Sequence, residues 1–184
     1  MRVVGGEFRG RRLMAPPSNA IRPSSDRLRQ TLFDVLAHRF EDAVRDARVL
    51  DLFAGTGALG IEAISRGARY ALFVEEDATA RGLIRSNVEA MGLTGKTRIF
   101  RRDATRLGEA GTVGSFSLVF ADPPYGGGLG ERALAAALSG GWMGEGALAV
   151  LEERRSAEVA PVPGLDVVDR RDVGDSQLVF LKRM

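Results

Sequence analysis

The chain of 184 residues is long enough for one hydrophobic core, and its 45% hydrophobic and 27% charged residues are ordinary for a globular protein. It contains no cysteine and one histidine, which excludes a disulfide framework and argues against a metal site or catalysis built on these residues. No apolar stretch approaches the roughly 18 to 20 residues that a membrane-spanning helix needs, and no signal peptide is recognisable, so we expect a cytoplasmic protein with no membrane partner.

The first 14 residues predict a β-hairpin in which Arg2-Val3-Val4 and a strand from Glu7 flank the turn pair Gly5-Gly6. The first thirty residues are also strongly basic, with seven arginines against two acidic residues. Clustered cations of this kind neutralise phosphates, although a merely solvated surface is the alternative. We therefore predict RNA or DNA contacts for Arg9, Arg11, Arg12, Arg22, Arg27 and Arg29.

A proline-rich connector over residues 15–22 leads to a predicted helix over residues 25–39. Ser24 or Ser25 can cap this helix, and Asp26 in its first turn suits the helix dipole. Helical spacing of apolar residues predicts one buried face, formed by Leu28, Leu32, Val35 and Leu36. The pattern assigns Arg27 and Arg29 to the opposite, exposed face.

From residue 48 onward, short apolar strands alternate with helices. Strands are predicted over residues 48–53, 70–75, 97–100, 116–121 and 147–152. Helices are predicted over residues 57–66, 77–91 and 129–139, with a helical turn near residues 103–108. The tail predicts an antiparallel hairpin of residues 165–171 and 177–182. This order is typical of an α/β fold with a seven-stranded, mainly parallel sheet and helices on both faces.

The first strand ends in a glycine-rich loop that contains Gly55 and Gly57. Glycines at such a strand-to-helix turn let backbone N–H groups approach a ligand, although they can also serve the turn alone. Asp51, four residues before Gly55, is an acidic residue that loops for dinucleotides usually lack. A carboxylate there suits a cofactor with a cationic amino group better than one with a pyrophosphate.

Acidic residues also follow the second and third strands. Glu75, with Glu76 beside it, can accept both hydroxyls of a ribose, and the alternative is a solvated strand end. Asp103 can accept from an adenine amino group while the N–H of Ala104 binds a ring nitrogen. A helix cap is an equally good interpretation of Asp103.

The loop after the fourth strand reads Asp122-Pro123-Pro124-Tyr125. Two prolines stiffen the loop and remove two N–H donors, so Asp122 and the Pro123 carbonyl form a pair of acceptors for one amino group. Tyr125 offers a ring on which a base can stack. We predict that these four residues form the catalytic loop.

Together these motifs resemble the class I S-adenosylmethionine-dependent methyltransferases that act on exocyclic amino groups, and more closely the RsmD type of small-subunit ribosomal RNA guanine-N2 methyltransferase. The resemblance covers nearly the whole chain. It rests on Gly5-Gly6, Arg9-Gly10-Arg11, the segment from Arg22 to Arg29, Asp51 to Ala63, Glu75-Glu76-Asp77, Asp122 to Tyr125 and Gly174-Asp175-Ser176. Serines replace the family's usual threonines after Arg22-Pro23, and Gln30 replaces its usual glutamate.

The resemblance implies a Rossmann-like methyltransferase domain over residues 25–184 and a basic RNA-binding extension over residues 1–24. It implies S-adenosylmethionine as cofactor, and 16S ribosomal RNA or a small-subunit assembly particle as the partner of a monomeric enzyme. The predicted cofactor contacts are Asp51, Phe53, Gly55, Gly57, Glu75, Glu76, Asp103 and Ala104.

Asp122, the acidic residue at which the catalytic loop begins, favours guanine as the target base. Adjacent N1–H and N2–H donors of guanine suit an acceptor-only carboxylate at Asp122, whereas adenine presents an acceptor that an amide would satisfy. Three alternatives remain at this point. They are an adenine-N6 methyltransferase, a dinucleotide-dependent oxidoreductase and an RNA-binding assembly factor without catalysis.

Overall fold

A computed structural model describes residues 1–17 and 24–184. Seven strands form one sheet in the order β3-β2-β1-β4-β5-β7-β6. They are β1 Arg48–Leu52, β2 Tyr70–Val74, β3 Thr97–Phe100, β4 Phe116–Ala121, β5 Met143–Arg154, β6 Leu165–Val173 and β7 Ser176–Arg183. Strand β7 is antiparallel to both β5 and β6, and the other pairs are parallel. The predicted fold class is therefore confirmed.

Four helices cover the two faces of this sheet. They are α1 Asp26–Arg39, α2 Ala58–Ser65, α3 Ala78–Ala90 and α4 Leu129–Ser139. Side chains alternate along each buried strand, so Val49 packs with α1, α2 and α3, while Leu50 packs with α4 on the other face. Burial on both faces explains why the central strands read as continuous apolar runs.

The chain order places the carboxyl ends of four strands around one opening. The chain builds β1, β2 and β3 outward in one direction, and then returns to add β4 on the other side of β1. Helices leave β1 and β4 on opposite faces, so a crevice opens between the two strand ends. In open parallel sheets this switch point is where ligands bind.

The amino-terminal segment folds back on itself, as the predicted hairpin requires, but it forms no regular strands. A single antiparallel bridge joins Arg2 and Arg12, and the Val3 N–H donates to the Arg11 carbonyl at 2.9 Å. The reversal takes several turns rather than the predicted Gly5-Gly6 pair. Val3 and Leu13 are buried in the same cluster as the helices, so this segment packs onto the α/β core.

The expectation that Arg29 lies on the exposed face of the first helix is wrong. Its side chain is 0% exposed, while Arg27 is exposed as predicted. The Arg29 guanidinium pairs with Asp26 and with Glu62 on α2, and it donates to the Arg2 carbonyl at 2.7 Å. The buried face of α1 is wider than the apolar pattern predicts, because the charge of Arg29 is paired with carboxylates and can therefore be buried. Arg29 is therefore buried in the fold by its ion pairs, and its guanidinium is not exposed to a phosphate in this structure.

Most boundaries agree with the predictions. Strands β3 and β4 and helix α4 begin and end at the predicted residues, and Ser25 and Asp77 cap α1 and α3 through their side chains. Strand β5 starts four residues before the prediction and continues to Arg154, because β7 pairs with its whole second half. Within the described ranges, no helix combines the length and the apolarity that crossing a membrane requires.

Candidate active site

A cleft of about 1230 Å³ runs along the carboxyl edge of the sheet. All four residues of the predicted catalytic loop line it, and so do seven of the eight predicted cofactor contacts. The predicted site residues that line the cleft are Asp51, Phe53, Gly55, Glu75, Glu76, Asp103, Ala104, Asp122, Pro123, Pro124 and Tyr125. Tertiary structure thus gathers side chains from the ends of four different strands into one space.

Gly57 is the predicted cofactor residue that does not line the cleft. It has a φ of 81° and caps α2, and its N–H donates to the Ala54 carbonyl at 2.8 Å. Gly55, with a φ of 60°, is the glycine whose backbone faces the cleft. Phe53 also has a positive φ of 56°, which is uncommon for a side chain of this size and marks a strained backbone at the cleft.

Asp51 is buried at the floor of the cleft. Its carboxylate accepts a hydrogen bond of 3.0 Å from the Gly60 N–H, in the first turn of α2. Gly60 has no room for a side chain, since an added Cβ would lie 2.5 Å from the Phe73 ring and 3.2 Å from the Asp51 carboxylate. Burial raises the pKa of Asp51 well above the usual range of a carboxyl, and the negative charge of Glu75 acts in the same direction.

Glu75 links the loops that follow β1 and β2 at one side of the cleft. One carboxylate oxygen accepts from the Gly55 N–H at 2.8 Å, and the other accepts from the Asp77 N–H at 2.9 Å. Each carboxylate oxygen has a second lone pair, so both can still accept from a ligand. These bonds orient the carboxylate and fix the glycine loop before any ligand arrives.

Asp103 begins a short 3₁₀ turn, Ala104–Arg106, so the helix-cap interpretation is correct. One of its oxygens accepts from both the N–H and the hydroxyl of Thr105, at 2.9 and 2.7 Å, and these bonds hold the pKa of Asp103 below its ordinary value. Capping does not exclude ligand binding, because the side chain also lines the cleft. Ala104 is buried beside it, while Glu76 is exposed at the rim.

The loop after β4 lies in the middle of the cleft. The Asp122 N–H reaches the Leu52 carbonyl at 3.5 Å, which extends the pairing of β4 with β1 by one residue. Its side chain is half-buried and lines the cleft. Pro123 is buried and Pro124 is exposed, so the two prolines span the loop from the core to the surface.

Three residues beside Tyr125 were not predicted as site residues, although Ser176 belongs to the Gly174-Asp175-Ser176 motif. The Tyr125 hydroxyl donates to Glu152 at 3.2 Å and lies 2.8 Å from the Ser176 hydroxyl. The Arg154 guanidinium lies over the Tyr125 ring, 5.2 Å from its centroid. Glu152 comes directly after the apolar run of residues 147–151, as Glu75 comes directly after the run of residues 70–74, so the pattern that identified Glu75 could have identified Glu152 too.

The predicted RNA-binding arginines do not form one group. Arg27 lines the cleft, whereas Arg9, Arg11 and Arg12 are exposed on the amino-terminal segment, away from its lining. Arg11 donates to the carbonyl of Ala90, at the end of α3, at 2.9 Å. Arg22 lies outside the described residues. Three further arginines line the cleft and were not predicted as contacts, namely Arg102, Arg106 and Arg132.

Comparison with known proteins agrees with this arrangement. Residues 1–182 match the family model described as conserved hypothetical protein 95. The ribosomal RNA small subunit methyltransferase D of Escherichia coli K12 is 37% identical over 164 residues, which cover 89% of this chain and 79% of the relative. Its Haemophilus influenzae counterpart is 31% identical over 157 residues, or 84% and 79% of the two chains. The solved structure of Escherichia coli yhhF, described as a methyltransferase, superposes with a TM-score of 0.85 and 32% identity, covering 100% of this chain and 97% of that one.

Proposed function

Because this chain belongs to the conserved hypothetical protein 95 family, the RsmD family of ribosomal RNA methyltransferases, we propose that it methylates the N2 amine of a guanine in 16S ribosomal RNA. The methyl donor in this proposal is S-adenosylmethionine. The observation that carries the proposal is the Asp122 loop, which shares one cleft with the carboxylates of Asp51 and Glu75.

The residues of the cleft fit this cofactor chemically. A methionine ammonium group suits the acidic floor at Asp51, and a pair of ribose hydroxyls suits the two oriented oxygens of Glu75. Asp103 and the buried Ala104 follow β3, the strand next to β2, and the adenine would be held there. Phe53, Gly55 and the exposed Glu76 would complete the contacts with the cofactor. Gly57 would act through the conformation of the glycine loop, because it does not line the cleft. When bound, the cofactor supplies a methyl group on a positively charged sulfur.

Asp122 and the Pro123 carbonyl act on the nucleophile in this proposal. The lone pair of a guanine N2 amine is delocalised into the ring, so the amine is a poor nucleophile until its geometry becomes tetrahedral. Two acceptors on its N–H bonds favour that geometry and stabilise the positive charge that develops on nitrogen. The surplus proton can then pass to the Asp122 carboxylate. Proline at 123 and 124 leaves no N–H that would compete for these acceptors.

Guanine is preferred to adenine because Asp122 has only acceptors when ionised. The N1–H and N2–H edge of guanine satisfies both carboxylate oxygens, while the N1 acceptor of adenine would face a negative charge. Adenine N6 in RNA or DNA is the alternative target. Mass spectrometry of nucleosides from the methylated nucleic acid distinguishes the two bases.

Ribosomal RNA would be held by exposed arginines of the cleft and of the amino-terminal segment. Arg27 lines the cleft and Arg9 and Arg12 are exposed on the amino-terminal segment, so both surfaces can carry phosphate contacts. The target base must leave its stack to reach the Asp122 loop, and stacking on Tyr125 would replace part of the lost energy. We expect a monomer that acts in the cytoplasm, where its ribosomal RNA substrate is assembled.

The proposed function is tested by methyl incorporation into 16S ribosomal RNA and small-subunit particles from labelled S-adenosylmethionine. Asp122→Ala should keep cofactor affinity in calorimetry and lower turnover by roughly 10²- to 10³-fold, the usual cost of a lost stabilising group. Asp166→Asn is the control, since Asp166 is an exposed acid on β6 outside the cleft lining. Methylation of adenine instead of guanine, or unchanged turnover of Asp122→Ala, would contradict the proposal.

A further inference from the structure

One half of the cleft is left unexplained by the cofactor. The side chains proposed to hold it come from the ends of β1, β2 and β3, and Asp122 comes from β4 in the middle. Beyond Asp122 the lining continues over the ends of β5 and β7, with Glu152 and Ser176. These two polar side chains are 7% and 5% exposed, so the fold keeps them buried at the edge of the site.

Glu152, Ser176 and Tyr125 lie within hydrogen-bond distance of one another, and their two hydroxyl hydrogens can form two of the three possible bonds at a time. The Ser176 hydroxyl donates to a Glu152 oxygen at 3.0 Å, the Tyr125 hydroxyl donates to the same oxygen at 3.2 Å, and the two hydroxyls lie 2.8 Å apart. A carboxylate acceptor strengthens such bonds relative to neutral pairs. The outer end of the Tyr125 side chain is therefore tied to two strands of the rigid sheet.

The backbone that follows Tyr125 restrains the ring less than the two prolines before it do. Gly126, Gly127 and Gly128 follow it directly, and all three have positive φ values of 88°, 73° and 65°. Glycine leaves the backbone its widest conformational choice, so this stretch restrains the preceding residue weakly. The ring is instead held through its hydroxyl and by the Arg154 guanidinium over its face.

We propose that Glu152 and Ser176 are positioning residues for methyl transfer, which hold the Tyr125 ring in the plane against which the target guanine lies. This inference rests on the proposed function and assigns two residues to its base-binding half. Ring orientation matters because the attacking nitrogen must meet the methyl group at a defined distance and angle, and small misplacements cost large factors in rate.

A double-mutant cycle on Tyr125→Phe and Ser176→Ala tests the proposal. Tyr125→Phe keeps the ring but removes its link to the sheet, so kcat on ribosomal RNA should fall roughly tenfold or more. Ser176→Ala removes one of the two partners of the Tyr125 hydroxyl and leaves Glu152, so it should lower kcat by a smaller factor. Together the two substitutions should cost no more than Tyr125→Phe alone, because a phenylalanine ring has no hydroxyl for Ser176 to hold. The affinity for S-adenosylmethionine, measured by calorimetry, should stay at the wild-type value in all three proteins.

Two further variants separate positioning from simple structural support. Glu152→Gln keeps an oxygen that accepts from Tyr125, so it should retain more activity than Glu152→Ala. Ser139→Ala removes an exposed hydroxyl at the far end of α4 and should leave kcat unchanged. Melting temperatures identify any variant that has lost its fold, and the cycle is then read from the Glu152→Gln and Tyr125→Phe pair.

The outcomes distinguish this inference from the proposed function. If Ser176→Ala lowers kcat by the same factor in the Tyr125→Phe background, or has no effect in the wild type, the positioning role is overturned while the methyltransferase activity stands. The cycle can be read on whichever base the wild type methylates. A folded wild-type protein that methylates no base would overturn the proposed function and this inference together.

Discussion

Glu75 and Gly55 are joined by a hydrogen bond of 2.8 Å from the Gly55 N–H to the Glu75 carboxylate, across 20 residues of chain. The second carboxylate oxygen of Glu75 holds the Asp77 N–H, at the start of α3. One side chain therefore sets the relative position of the glycine loop and the next strand-to-helix turn. The glycine loop is shaped by a distant carboxylate as well as by its own glycines.

Glu75→Gln should weaken binding of S-adenosylmethionine by about ten- to hundredfold, the value of one to two charge-assisted hydrogen bonds. The amide has one acceptor oxygen instead of two, so it cannot hold both loops and both ribose hydroxyls. Calorimetry measures the dissociation constant, with Glu89→Gln, an exposed substitution on α3, as the control. Equal affinities for Glu75→Gln and Glu89→Gln would remove Glu75 from the cofactor site.

Asp51→Asn should make the protein more stable at neutral pH. Burial raises the pKa of Asp51 in the folded state above the value of roughly 3.9 for an unfolded chain, so the stability that this group contributes is present below about pH 4. That stability is lost as the pH rises through the raised folded-state pKa, because the carboxylate must then ionise in a buried place. The asparagine oxygen can still accept from the Gly60 N–H and never ionises.

Melting temperatures of Asp51→Asn and wild type at pH 4 and pH 8 check this prediction. The advantage of the variant should be larger at pH 8 than at pH 4. A constant difference at both pH values would show that Asp51 does not titrate in this range. Affinity for the cationic cofactor should fall in the same variant, since the acidic floor of the cleft is lost.

Substitution of Arg29 should lower the stability of the protein, whereas substitution of Arg12 should affect RNA binding. Arg29→Met leaves the buried Glu62 without one of its partners, so the free energy of unfolding should fall by about 3–5 kcal/mol. Arg12→Ala removes an exposed cation and should leave stability nearly unchanged. Its effect belongs to RNA binding, where one lost phosphate contact lowers the salt dependence of log K by roughly one unit.

Urea unfolding and RNA binding over a range of salt concentrations measure the two effects separately. The salt dependence of Arg29→Met, measured at a temperature where it is folded, should equal that of the wild type. A shallower salt dependence for Arg29→Met would return this buried guanidinium to the list of RNA contacts.

Asn87→Ala should destabilise the protein by about 1–3 kcal/mol, because it leaves buried backbone groups without partners. The Asn87 amide nitrogen donates to the Thr56 carbonyl at 3.0 Å, inside the glycine loop, and its oxygen accepts from the Met14 N–H at 2.7 Å. This side chain ties the amino-terminal segment to the glycine loop. Urea unfolding measures the loss, with Ser86→Ala on the same helix as the control, and equal midpoints for the two variants would refute the prediction.

The sequence alone determined the order of the elements and the residues at which strands end. Apolar periodicity and turn residues are local signals, so they predicted β4 and α4 at their observed boundaries and identified Asp77 as a cap. Because parallel strands end at one edge of the sheet, locating Asp51, Glu75 and Asp122 at strand ends was enough to predict a shared cleft.

The long-range contacts of the charged side chains follow from the packing of the fold and from no local pattern in the sequence. Arg29 and Glu62 lie 33 residues apart in the chain and Tyr125 and Ser176 lie 51 apart, so no periodicity relates one partner to the other. A helical pattern assigns an arginine to the exposed face because burying an unpaired charge is costly. The fold offsets that cost at Arg29 with carboxylates from its own helix and from α2. Such partners become neighbours only when the strand order and the helix packing are established.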